Sequence, residues 1–162
     1  MKGAHASAFC ERAMGKVIVI GCGTAGLAVL RALHPFKDIE LIALTHTRSE
    51  VGCVSRCASE VVLGPHPGTR EEAFIEFLLE RTAAWQGALL LEAGDYMAVA
   101  ISRNKQRLLP FYRTSIADWP ILKRYIEKSE LHALATSCGV PCPNTFHPRT
   151  RPELDSIRGS VR

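Results

Sequence analysis

The chain has 162 residues, 47% of them hydrophobic, with 20 Lys and Arg against 16 Asp and Glu and a formal net charge of +4. That length and apolar content suit one domain with a real core and exclude a disordered polar chain. No apolar run approaches the roughly 20 residues that a bilayer span demands. So small a net charge does not call for nucleic acid either, so neither a membrane nor a nucleic acid is an expected partner.

The first sixteen residues lack a continuous apolar stretch of the secretory kind, and six cysteines are too few for a disulfide scaffold. A reducing, cytoplasmic setting is expected. Residues 1–15 read as a ragged or disordered leader, with Met14 a natural alternative start just before the first strand. Two Cys-x-x-x-Cys pairs, Cys53/Cys57 and Cys138/Cys142, have a spacing zinc permits, but no tight Cys/His cluster accompanies them. They read as structural thiols. The charge-rich segment Arg103–Lys128 reads as solvated surface.

Lys16–Ile20 is a β-branched run ending at Gly21, which suits a strand buried on both faces. The helix after it, Leu27–Leu33, is apolar almost all round and should be well covered; His34-Pro35 stops it. Ile39–Leu44 is a second strand, and Glu60–Leu63 a third after a polar segment. Thr69 and Glu72 have the spacing of a capping box that would start a helix with Phe74, Phe77, Leu78 and Trp85 on one stripe and Gly87 at its end. Ala88–Leu91 is a fourth strand. Asp95 is positioned to cap a helix reaching Arg107, and Leu108–Phe111 is a last short strand or extended connection. Asp118-Trp119-Pro120 opens a further helix, and another runs from Ser129 to Gly139. Such alternation predicts an α/β, Rossmann-like three-layer domain with a mostly parallel sheet of four or five strands.

Gly21, Gly23 and Gly26 form G-x-G-x-x-G between a strand and a helix, the context this pattern needs. Small residues there let a ligand approach the backbone, and free amides at the helix start favour an anion. The acidic residue that holds ribose hydroxyls is missing from the end of the second strand, Ala43-Leu44-Thr45-His46-Thr47; Glu50 is the nearest carboxylate and lies beyond it. Three readings stay open: a tight packing turn, a substrate or anion contact, and a flavin or nicotinamide site. The histidines at 34, 46, 66, 132 and 147 are scattered, and none stands beside a nucleophile in sequence.

The order of motifs resembles a known family. It comprises the glycine turn, Ser55-Arg56-Cys57 before a strand ending at Leu63-Gly64-Pro65, Leu90-Leu91-Glu92-Ala93-Gly94-Asp95 before a helix, and then Glu127-Lys128 through Gly139-Val140-Pro141-Cys142-Pro143. The last segment is similar to the hinge that joins the N-terminal domain of ATP-grasp ligases to their ATP-binding domain, with Glu127 where aspartate is more usual. The resemblance covers about Lys16 to Pro148. It implies a pre-ATP-grasp domain at 16–126, a hinge helix and linker at 127–148 and a flexible tail at 149–162, truncated before the ATP-binding domain.

The implied parent is a carboxylate–amine ligase that activates a carboxylate as an acylphosphate with ATP and magnesium and couples it to an amine. Its partners would be those small molecules and an ATP-grasp domain in cis, and the fragment alone would be inactive. Lys128 matches the hinge lysine that reaches the nucleotide. Gly21, Gly23, Thr24, Arg56 and Asp95 are the expected substrate-side residues, Arg56 as a contact to a carboxylate and Asp95 as an acid at a strand end. The alternatives are an FAD- or NAD(P)-binding fragment of an oxidoreductase and a non-catalytic binding module.

Overall fold

The structure is a computed structural model that describes residues 15–158. Two compact units divide between Ala117 and Asp118. The first holds five parallel strands, β1 (Gly15–Ile20), β2 (Ile39–Thr45), β3 (Glu60–Leu63), β4 (Leu89–Glu92) and β5 (Arg113–Thr114), in the order β3-β2-β1-β4-β5. This is the Rossmann-like α/β architecture, and its sheet is parallel throughout.

Strand alternation builds the layers. Ile18, Ile20, Ile42, Leu44 and Leu90 point to one face and pack with Phe74, Ile75, Leu78, Met97 and Ile101; Val17, Val19, Leu41 and Ala43 point to the other and pack with Leu30. The helices that supply those partners are α1 (Thr24–Leu33) on the second face, and α2 (Glu71–Leu79) and α4 (Asp95–Arg103) on the first. β1 is paired on both sides, Val17 with Leu41 and with Leu89, which explains its unbroken apolar run.

Several expectations are corrected. Only Gly26 and Leu30 of α1 are fully buried, because the helix turns one stripe to the sheet and its outward positions are mostly small alanines. The capping box at Thr69 does not form: the amides of Thr69 and Arg70 both donate to the His66 carbonyl, and α2 starts at Glu71 without a side-chain cap. Trp85 belongs to a separate short helix, α3 (Thr82–Trp85). Between the two, the Arg81 guanidinium lies 3.4 Å from the centre of the Phe77 ring and donates to the Phe77 carbonyl.

The next helix likewise breaks at Asn104 into α4 and α5 (Lys105–Leu108). Asn104 Nδ2 bridges the Ala100 carbonyl and Glu71. Leu108 is the buried end of α5 rather than part of a strand, and the last strand lies further on, at Arg113–Thr114. Arg107 pairs with Glu72 and Glu76, and Arg103 with Glu71, all at the surface, where such pairs contribute little.

The second unit holds α6 (Trp119–Ile126), α7 (Lys128–Ser137) and α8 (Arg151–Ile157). Glu127 separates α6 from α7. Gly139, at φ +70, closes α7 by donating to the Thr136 carbonyl. Helix α8 lies where a flexible tail is expected, and its start is capped by side chains: the Glu153 amide donates to Thr150 Oγ1, and Glu153 Oε2 accepts from the Arg149 amide one residue before the cap. No helix among the described residues is long and apolar enough to cross a membrane. The leader, residues 1–15, lies outside the described residues apart from Gly15, which begins β1.

Candidate functional site

Strand order reverses between β1 and β4, so the loops leaving their carboxyl ends diverge toward opposite faces, and in open α/β sheets that crevice receives ligands. The glycine turn occupies it. Each glycine has a separate cause. Gly21 sits at φ +87, where side chains are strained, and a Cβ there would lie 2.7 Å from Met97 Cε. A Cβ on Gly26 would fall 1.9 Å from the Gly21 carbonyl oxygen, so only glycine lets α1 approach the turn this closely. Gly23 meets nothing within 4 Å, which leaves its face open to a ligand.

Gly23, Thr24 and Ala25 are all exposed. The Leu27 amide bonds the Gly23 carbonyl, and the amides of Thr24 and Ala25 precede it in the first turn, as an anion site requires. Beside them the Ala93 amide bonds the Ile20 carbonyl at 2.9 Å and fastens the β4–α4 turn to β1. Asp95 opens α4 from that turn. It is exposed and forms no side-chain cap; Gly94 holds the cap position, so Asp95 is one residue inside the helix rather than its cap.

The segment after β2 folds back onto the glycine turn through a 3-10 turn, Val51–Val54. The Gly52 amide donates to the Cys22 carbonyl at 2.7 Å, and Glu50 Oε2 accepts from the Cys22 amide. The other oxygen of the same carboxylate, Oε1, meets His46 Nε2 at 3.2 Å. The acid that is absent from the strand end thus reaches the turn from five residues further along the chain.

His46 has its imidazole pKa lowered, first by burial and then by His66, with Glu50 opposing. The rings of His46 and His66 are 4.1 Å apart, edge to face, and His66 lies 5.6 Å from the Tyr96 ring. His66 Nδ1 accepts the Gly68 amide at 3.0 Å. On the β5 side, Thr114 Oγ1 donates to Glu92 at 2.8 Å, and burial raises the Glu92 pKa.

Of the expected site residues, Gly21, Gly23 and Thr24 share the crevice and Asp95 follows its far wall. Arg56 does not join them. It lines a cavity of about 170 Å³ with His34, Lys37, Ile39 and Ser59, at the amino end of β2 and so at the opposite edge of the sheet. Lys128 heads α7 in the second unit.

Cys22 is fully buried and burial pushes its thiol up to about 12, which makes it a packing residue; Cys53 and Cys57 are half-buried, Cys138 and Cys142 exposed. Among the described residues no group of three or more His, Cys, Asp or Glu could hold a metal ion.

His46, Glu50 and His66 are the residues that sequence reasoning missed. Each follows the carboxyl end of a parallel strand, β2 or β3, and that shared placement is the signal that could have found them. No protein-family model matches the chain, and no curated protein matches its sequence.

Proposed function

We propose that this chain supplies the substrate-side domain of an ATP-dependent carboxylate–amine ligase of the ATP-grasp kind. The observation that carries the reading is the motif order that ends in α7. Lys128 heads this helix, Gly139 closes it in the left-handed conformation, and Val140-Pro141-Cys142-Pro143 leaves it without regular structure, the form such a hinge takes. The open glycine turn supports the substrate-side role. Its exposed amides suit a carboxylate, and the neutral imidazole of His46 suits a group that must lose a proton.

The cofactors of such a ligase fit unequally. Lys128 offers one ammonium to a nucleotide, as a point charge. The described residues bring together no ligand set for magnesium.

A flavin or nicotinamide site is the second reading, favoured by Glu50 standing at the glycine turn. Thermal unfolding of the full chain separates the two. L-Alanine or acetate should stabilise it and FAD or NAD should not. A ligand at about 100 times its Kd contributes about 2.7 kcal/mol, so stabilisation by a dinucleotide would overturn the ligase reading.

A further inference from the structure

We propose that His46 accepts the ammonium group of the amine substrate at Nδ1 and takes its proton, with Glu50 as the residue that positions it; this rests on the ligase reading above. One ion-pair contact and one hydrogen bond assign the roles of the ring nitrogens. Glu50 Oε1 faces His46 Nε2 at 3.2 Å as an ion-pair contact, and a carboxylate attracts an N–H and repels a lone pair, so the hydrogen is favoured on Nε2 and the lone pair on Nδ1. His66 is tied in the opposite sense. Its Nδ1 accepts the Gly68 amide, which leaves Nε2–H, a donor that repels an ammonium. In this pair of adjoining rings His46 Nδ1 is therefore the acceptor.

The position follows from Glu50. One carboxylate accepts the Cys22 amide and forms an ion-pair contact with His46, so the imidazole is held beside the glycine turn through Glu50. The charged or titratable groups that face His46 are Glu50 from its own loop and His66 from the loop after β3, with Tyr96 of α4 behind His66. Burial disfavours the charged form and so favours the neutral ring that can accept, with Glu50 opposing. In the step itself one N–H bond of the ammonium breaks and an Nδ1–H bond forms. The amine keeps the electron pair, and the positive charge moves to an imidazolium that Glu50 already faces. Glu50 thus acts as the aspartate of a catalytic triad does, fixing tautomer and orientation without itself being protonated.

The test reads imidazole nitrogen resonances in the isotopically labelled full chain. His46 should show the Nε2–H tautomer with a midpoint below 6.5, and methylammonium should lower that midpoint further. Glu50→Gln is nearly isosteric. Its amide oxygen would keep the Cys22 amide while its NH2 turned to His46 Nε2, so the His46 tautomer should invert to Nδ1–H and the methylammonium response vanish, with the backbone spectrum otherwise retained. An Nδ1–H tautomer in the unmodified chain, or a methylammonium response that survives E50Q, overturns the proposal. L-Alanine shifts at the Gly23 and Thr24 amides with no response at His46 also overturn it, yet leave the ligase reading standing. Stabilisation by a dinucleotide sinks the ligase reading and leaves the measured tautomers as they are.

Discussion

Replacing Gly26 by alanine should destabilise the sheet unit although alanine is the better helix former. The added Cβ would lie 1.9 Å from the Gly21 carbonyl oxygen and 2.9 Å from its carbon, where Cβ contacts essentially never fall below 3.0 Å. Relief needs a shift of roughly 1.1 Å, the difference between those distances, in α1 or in the turn. Both are backbone, and no flexible side-chain end can yield. Over-packing costs about 1–3 kcal/mol, and a rigid backbone clash belongs at the upper end. The gain in helix propensity offsets about 1 kcal/mol of that. A net loss of about 2 kcal/mol lowers Tm by roughly 8–16 °C in a domain of about 100 residues. Gly23→Ser is the control: serine caps a helix well, nothing lies within 4 Å, and stability should stay within about 0.5 kcal/mol. Urea unfolding followed by circular dichroism measures both. A Gly26→Ala chain as stable as the Gly23→Ser chain would refute the close-approach argument.

Tyr112→Phe should cost about 0.5–1.5 kcal/mol, read as a lower urea midpoint with an unchanged slope, because the buried phenol donates to the Leu78 carbonyl and that carbonyl keeps the Arg81 amide as a second partner. Burial pushes the phenol up to about 12, so this loss should not vary between pH 6 and 9. His46 gives a pH dependence of the opposite kind. Its folded-state pKa lies below the ordinary 6.5, so as pH falls through that value the unfolded chain binds the proton first and stability declines. The urea midpoint should therefore drop between pH 7.5 and 5.5, and His46→Gln should reduce the drop. An equal drop in the variant would assign it to other groups.

The sheet was legible because β1, β2 and β4 each contain an apolar run, Val17–Ile20, Leu41–Leu44 and Leu89–Leu91, and the glycine turn has an unmistakable setting. Helix breaks were not. The apolar stripe from Phe74 to Trp85 continues in register through residues 80 and 81, and only the stacking of Arg81 on Phe77 reveals that the chain turns there. Asn104 interrupts its helix through side-chain bonds to Ala100 and Glu71, partners that no local pattern announces. At the candidate site, Gly21, Gly23 and Thr24 could be read directly. His46 and Glu50 could not, since their meeting depends on a loop whose path is set by Gly52 bonding Cys22. Arg56 was misplaced for a simpler reason. It precedes a parallel strand, and such positions lie at the amino edge of the sheet.

The order of strands also has a consequence for handling the protein. One border of the sheet, β5, is two residues long and offers little to another chain. The other, β3, is longer, and Val61 and Leu63 stand 44% and 50% exposed along it, with Val54 nearby at 85%. Main-chain groups that no described strand pairs, flanked by exposed valine and leucine, are a template for self-association, and Glu60 is the one charge on the strand to oppose it. Concentrated samples should aggregate along this rim first, and Val61→Lys is the conservative way to keep them dispersed.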